Sequence, residues 1–237
     1  MKRILYFIYL LALISCNGQN KKENTNNKTK VPAPIKHTAM ITQNNYKSLI
    51  NDKIESFDTR KFYQNNGDGL GKTYESNGAI IEESAGEKAS WFTAYITPKN
   101  SVFTIYKEYN HKGIIYRKWV NFRNGGGPVG IKYEFDDFGK LIKETDTDKD
   151  FKITPDDIIN YCKKNDIDLF STYTYIDRFV DEKTKQGFYN VNYRGKYEGE
   201  YGARIVILLH GNTGEIRKVV RINGKHNDSM DVLYEKK

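Results

Sequence analysis

The chain has 237 residues and carries 38 Lys and Arg against 30 Asp and Glu, a formal net charge of +8. This length suits one large domain or two small ones, and two cysteines exclude a fold held by several disulfides. The four histidines form no spaced pair typical of zinc sites, and no Gly-x-Ser-x-Gly nucleophile elbow occurs. We therefore predict a protein that is not an enzyme.

The first sixteen residues have the order of a secretion signal. Two basic residues precede an apolar run at 4–13, which at about ten residues is too short to span a bilayer. The quartet Leu-Ile-Ser-Cys at 13–16 resembles the lipobox of bacterial lipoproteins. The resemblance implies that residues 1–15 are removed as a signal peptide, and that an acylated Cys16 anchors a Gram-negative envelope protein in its lipid membrane.

Asn17 follows this cysteine where an inner-membrane lipoprotein would typically carry aspartate. The resemblance therefore favours the outer membrane, with the folded part facing the periplasm. Residues 16–37 contain almost no large apolar side chain and predict a disordered tether. Without the two basic residues of the signal the net charge is +6, from 36 basic and 30 acidic residues. Such a charge suits anionic lipid, cell wall or an acidic protein in the envelope, and we expect no nucleic acid partner.

Residues 38–150 are predicted to form an N-terminal helix followed by an antiparallel β-meander. Apolar residues at helical spacing predict a helix at 46–57. Aromatic and branched runs between turn clusters then predict strands at 79–83, 89–96, 101–109, 113–122, 129–135 and 140–144. The hairpin YEFDDFGKLIKE at 133–144 resembles the YwqK-type and Rhs-type strands of bacterial envelope proteins. The glycines at 125–127 indicate a turn in the meander, although their amides also suit an anion.

The stretch DTDKDFKITPDD, residues 146–157, has two interpretations. As a calcium loop, it would supply its ligands from Asp146, Asp148, Asp150, Lys152 and Asp157, with the lysine offering its carbonyl. However, Phe151 stands where such a loop needs a glycine for its sharp turn. Calcium is therefore a candidate ligand that the fold does not require.

As the start of a helix, the same stretch explains more of its residues. Thr154 suits the N-cap, Pro155 suits the first helical position, and Asp156 and Asp157 favour the positive end of the helix dipole. Both interpretations share this helix, so the question concerns only the three aspartates before it.

Residues 151–237 are predicted to form this helix and strands at 172–179, 188–193, 203–210 and 215–222. The turn HGNTGEIRKV and the cap at 154–157 resemble PepSY-type domains, although His210 stands about where those domains carry aspartate. The resemblance implies a noncatalytic module that binds or inhibits other envelope proteins. The predicted class is α+β, with a β-meander followed by a helix packed on a small antiparallel sheet.

Eighteen tyrosines are present, and Tyr193, Tyr197 and Tyr201 surround the loop RGKYEGEYG, which makes them a candidate binding surface. Strands also favour tyrosine for packing alone. The expected function is that of a noncatalytic module with a protein partner, and a periplasmic immunity protein or inhibitor is a specific case. The alternative is a calcium-stabilised envelope hydrolase, or a lipoprotein that binds carbohydrate or cell wall.

Overall fold

The computed structural model describes residues 45–66, 70–197, 200–223 and 229–236. Within these residues, twelve strands form two antiparallel sheets, and only two α-helices accompany them. The α+β class expected from the sequence, with its PepSY-like packing, is therefore wrong, because β-structure dominates the fold. The predicted signal peptide, Cys16 and the predicted tether lie outside the described residues.

The first sheet is a seven-stranded antiparallel meander whose strands follow chain order. Its strands are β1 (Gly71–Ser76), β2 (Ala79–Ala85), β3 (Trp91–Pro98), β4 (Phe103–Asn110), β5 (Ile115–Phe122), β6 (Val129–Phe135) and β7 (Leu141–Asp146). The six strands predicted between residues 79 and 144 correspond to β2–β7, with ends that agree within two residues. The first strand was not predicted, because its sequence GKTYES is mostly polar and lies exposed at the edge.

The second sheet has five strands in the order β12-β11-β10-β9-β8. They are β8 (Tyr175–Val180), β9 (Gly187–Tyr197), β10 (Glu200–His210), β11 (Ile216–Asn223) and β12 (Ser229–Glu235). The four predicted strands correspond to β8–β11, and the edge strand β12 was not predicted.

The two helices are α1 (Thr59–Asn66) and α2 (Pro155–Lys164). The start of α2 is the one that the sequence predicts, with Thr154 as N-cap. The backbone amide of Asp157 donates to the Thr154 hydroxyl at 3.2 Å, and the Asp157 carboxylate accepts from the Thr154 backbone amide at 2.8 Å. This capping box satisfies two of the amides that a helix start leaves unpaired.

The helix predicted at 46–57 does not form. A 3₁₀ turn at Tyr46–Ser48 is followed by an extended segment, because this backbone pairs with the start of β5 instead of with itself. Ile115 donates its amide to the Glu55 carbonyl at 3.1 Å, and the Phe57 amide donates to the Gly113 carbonyl at 2.7 Å. We name residues 45–58 the strap, since they lie across the inner face of the first sheet.

A shared hydrophobic core joins the two sheets. The inner faces of both contribute to it, through side chains that include Phe103, Ile105, Val120, Tyr189, Val191, Ile205 and Ile207. Helix α2 adds Ile158, Ile159 and Cys162. Burying a large apolar side chain stabilises a fold by about 1.5–3 kcal/mol, so this core is the main force that holds the sheets together.

The glycines between β5 and β6 lie directly against the edge of β8. The Gly126 amide donates to the Asp177 carboxylate. A Cβ atom at Gly125 or Gly127 would come within 3.0 Å of the backbone carbonyl oxygens of Ile176 and Arg178. Only glycine therefore fits at these two positions where the segment covers the sheet edge.

We expect Gly125→Ala to lower the free energy of unfolding by about 1–3 kcal/mol, because the new methyl group collides with backbone that cannot move away. Urea denaturation followed by circular dichroism measures this loss. The control is Gly126→Ala, whose Cβ would meet a movable carboxylate oxygen of Asp177 at 3.1 Å. Equal stability of Gly125→Ala and the natural protein would contradict this packing.

Candidate functional site

Asp148, from the middle of the aspartate stretch, belongs to a largely buried polar junction. One carboxylate oxygen accepts from the Gly130 amide at 2.9 Å and lies 2.8 Å from the guanidinium of Arg178. The other oxygen accepts from the Tyr46 hydroxyl at 2.8 Å. The junction therefore links the strap, the first sheet and β8 through one side chain.

The Arg178 side chain is only 2% exposed and lies at the centre of this junction. Its Nε donates to the Pro128 carbonyl at 2.6 Å, and an Nη donates to the Thr147 hydroxyl at 2.6 Å. The guanidinium also lies over the ring of Phe151, 4.6 Å from its centroid. These contacts provide partners for Nε and for one Nη of the buried guanidinium, while the other Nη has no hydrogen-bond partner among the described residues.

The charge of Asp148 is stabilised by its neighbours. Burial alone raises the pKa of this carboxyl, but the Gly130 amide and the Arg178 cation outweigh burial and lower the pKa below its ordinary value. Asp148 is consequently an anion at neutral pH, paired with an arginine that no local sequence pattern connects to it.

Three of the other candidate calcium ligands take part in separate hydrogen bonds. Asp157 caps α2, Asp146 accepts from the Asp148 amide at 2.9 Å, and the Lys152 amide donates to Asn212 at 3.1 Å. Among the described side chains, no group of three or more His, Cys, Asp or Glu is placed to hold a metal ion. Calcium binding by this stretch, with Asp150 as one of its ligands, stays a prediction from the sequence.

Only one of the three candidate tyrosine side chains lies in the described part of the chain. Tyr193 is buried in the shared core, whereas the side chains of Tyr197 and Tyr201 lie outside the described part of the chain. Cys162 is also buried, and burial raises its pKa to about 12, so it is a neutral packing group at physiological pH.

A row of three aromatic side chains crosses the outward face of the first sheet. Tyr95 pairs with Tyr106 across β3 and β4, and Tyr106 pairs with Trp119 across β4 and β5. Their ring centroids are 4.9 Å and 4.1 Å apart. We name these three residues the aromatic row. Each of the three strands can be predicted from its own sequence. The row also depends on the register between the strands, which no local pattern specifies.

Charged groups hold the aromatic row in place. The Glu108 carboxylate accepts from the Tyr106 hydroxyl and from Arg117 Nε, both at 2.8 Å. Lys132 Nζ lies 5.6 Å from the Trp119 ring centroid, and the Arg117 guanidinium lies 5.7 Å from it. Each ring therefore packs against a neighbour that limits its motion.

Hydroxyl pairs border the aromatic row on both sides. Ser84 and Thr93 approach to 2.6 Å on one side, and Thr97 and Thr104 approach to 2.8 Å on the other. Tyr95 is 41% exposed, while Tyr106 and Trp119 are half-buried. The result is a partly exposed aromatic centre inside a polar border.

The outward face of the second sheet carries two neighbouring rows of mostly apolar side chains. One row consists of Tyr175, Asn192, Val206, Val220 and Val232. The other row consists of Arg194, Arg204, Ile222 and Met230, and the Tyr173 ring lies 4.4 Å from the Arg194 guanidinium. We name these residues together the aliphatic-arginine patch.

No family model, curated protein or solved structure matches this chain. Neither helix in the described residues has the length and apolar character needed to cross a bilayer. The chemistry of the two outward faces is therefore the basis for a functional proposal.

Proposed function

We propose that this chain is a lipid-anchored envelope protein that binds a protein partner without catalysing a reaction, and that the aromatic row is the centre of its binding surface. The observation that carries the proposal is the row itself, with its exposed aromatic edge and polar border. The anchor is the acylated Cys16 that the lipobox-like quartet implies.

The composition of this surface suits recognition of a protein. Trp, Tyr and Arg are the residues that contribute most binding energy at protein interfaces, usually inside a border that excludes water. Tyr106 and Trp119 are already packed against each other, so they lose little rotamer freedom when a partner binds. The Tyr106 and Trp119 rings pack on each other and two cations lie near the Trp119 ring, which favours a protein partner over a sugar that needs a free ring face.

Three side chains of types that often take part in catalysis, those of Asp148, Cys162 and His210, are engaged in structural contacts. Asp148 is paired with Arg178, and the Cys162 thiol has a raised pKa in the core. Burial lowers the pKa of His210, whose Nε2 lies 3.3 Å from the Gln186 side chain. These contacts support a binding role, and an inhibitor or immunity protein is one form that such a role takes.

The first experiment is capture of the partner from envelope extract by the tagged protein, followed by quantitative mass spectrometry. We expect Trp119→Ala to weaken the captured partner's binding at least about thirty-fold, as loss of a central interface tryptophan does. Surface plasmon resonance with the purified partner measures this change.

The matched control is Phe138→Ala, which removes an 81% exposed ring from the β6–β7 turn. This variant should bind with unchanged affinity. If Trp119→Ala and Tyr106→Ala both retain full affinity while their melting curves stay unchanged, the aromatic row is not the binding surface.

A further inference from the structure

We propose that β1 binds an extended segment of the protein partner, which joins the first sheet as an additional strand. The Ala85 amide donates to the Leu70 carbonyl at 2.9 Å, and the regular register of β1 and β2 continues from this pair. Residues of an antiparallel strand bond alternately to one side and to the other. Gly71, Thr73 and Glu75 therefore direct their amides and carbonyls away from β2, and we name these outward groups the β1 edge.

The β1 edge differs from the other three edges of the two sheets. The β6–β7 and β11–β12 ladders each contain a register shift, and irregularities of this kind discourage edge pairing. The β8 edge is covered by the glycines at 125–127. By contrast, β1 keeps six consecutive pairs with β2 without a shift, and no described backbone group pairs with its outer side. Unpaired groups in such a regular row are complementary to the backbone of another strand.

A pocket of about 500 Å³ lies beside β1 on the inner face of the sheet. Helix α1 contributes Lys61, the buried ring of Phe62 and Asn65 to its lining, and β1 contributes Lys72 and Tyr74. Side chains of a strand alternate between the two faces of its sheet. The side chains of an added strand that stand opposite Lys72 and Tyr74 would therefore lie beside this pocket.

Contacts within the chain hold the walls of the pocket. Lys72 Nζ lies 3.0 Å from the Glu83 carboxylate and 4.9 Å from the Tyr74 ring centroid. The Tyr74 hydroxyl donates to the same carboxylate at 2.9 Å. Asp58 and Lys61 add one charge of each sign to the lining, so the charges of the pocket are balanced. An uncharged polar side chain of the partner suits such a pocket better than a charged one.

The β1 edge belongs to the same sheet face as the aromatic row. On the outward face, Thr73 pairs with Glu82, and Glu82 pairs with Tyr95. Neighbouring strands lie about 4.8 Å apart, which places an added strand roughly 14 Å from β3 and Tyr95. One partner with a contact area of about 800 Å² can reach both places. This mode of binding rests on the proposed function, because it uses the same partner.

The experiment compares two substitutions at Thr73 by surface plasmon resonance with the purified partner that the tagged protein captures. Thr73→Pro removes an outward amide but no hydrogen bond to β2, since the Thr73 amide points away from that strand. We expect the affinity to fall at least about ten-fold. The matched control is Thr73→Val, which keeps the backbone amide and should bind within about two-fold of the natural protein.

Amide hydrogen exchange tests the β1 edge without any substitution. In the free protein, the amides of Gly71, Thr73 and Glu75 should exchange rapidly, whereas those of Lys72 and Tyr74 are protected by β2. In the complex, the three outward amides should exchange at least about ten-fold more slowly. Thermal melting establishes that both Thr73 variants are folded.

Three results would overturn strand addition at β1: outward amides that are already protected in the free protein, unchanged affinity in Thr73→Pro, or an equal loss in both Thr73 variants. The first result would mean that another part of the chain or a second copy occupies the β1 edge. If Trp119→Ala weakens binding and Thr73→Pro does not, the proposed function stands and strand addition fails. The reverse result keeps strand addition and removes the aromatic row, and capture of no partner removes both.

Discussion

Replacing Arg178 with methionine is expected to lower the free energy of unfolding by about 3–5 kcal/mol. The side chain is 2% exposed and donates to the Pro128 carbonyl, the Thr147 hydroxyl and the Asp148 carboxylate. Methionine fills similar space but leaves these acceptors without their donor, and a buried anion without its cation is the costliest of these losses. Equilibrium urea denaturation measures the change, with an unchanged slope as the sign that the same transition is observed.

A surface substitution and a double variant make this result specific. Arg60→Met changes an exposed arginine on α1 and should alter stability by less than about 0.5 kcal/mol. When Asp148→Asn is combined with Arg178→Met, the total loss should be smaller than the sum of the single losses, because the second substitution removes the stranded charge. Additive losses would mean that the two side chains are not coupled, and the account of the junction would fail.

Asp148 illustrates why the sequence indicates a site without identifying its role. The alternating aspartates of residues 146–150 are the local pattern of a calcium loop, and pattern alone cannot reveal a counter-charge supplied thirty residues later by β8. The capping box at Thr154 and Asp157 was predictable, because all its contacts lie within four residues. The difference between the two cases is the distance along the chain between the interacting groups.

The same reason explains which elements of the fold were predicted. Strands β2–β11 have aromatic and branched runs that are visible locally, and all of them correspond to predicted strands. The strap has helical periodicity, yet its backbone pairs with the start of β5, a partner about sixty residues away. In the strap, long-range pairing overrode the local pattern. The loss of that predicted helix and the two unpredicted edge strands, β1 and β12, explain why the fold is richer in β-structure than expected.

A second long-range charge contact lies beneath the strap. Lys118 is fully buried, and its Nζ donates to the Lys53 carbonyl at 2.6 Å and to the Glu55 carboxylate at 2.5 Å. Lys107 also binds the Glu55 carboxylate. Burial raises the pKa of Glu55, but the hydrogen bonds from the two lysines outweigh burial and lower it below its ordinary value. One carboxylate from the strap thus forms ion pairs with two cations on the inner face of the first sheet.

We expect Glu55→Gln to lower the free energy of unfolding by about 2–3 kcal/mol at pH 7, because the fully buried Lys118 loses its carboxylate partner. This expected loss of stability is smaller than that for a fully buried ion pair, since the Glu55 side chain is 28% exposed. The control is Glu75→Gln, an acidic residue that β1 exposes to solvent, and it should change stability by less than about 0.5 kcal/mol.

The pH dependence follows from the direction of the Glu55 pKa shift. A carboxyl whose pKa is lower in the folded state than its unfolded value of about 4.3 adds stability above that value, and this contribution disappears as pH falls through the folded pKa. The natural protein should therefore lose stability faster than Glu55→Gln between about pH 5 and pH 3, and the difference between the two should shrink across this interval. Denaturation curves recorded at several pH values measure it, and a constant difference from pH 7 to pH 3 would show that the Glu55 charge does not hold the strap to the sheet.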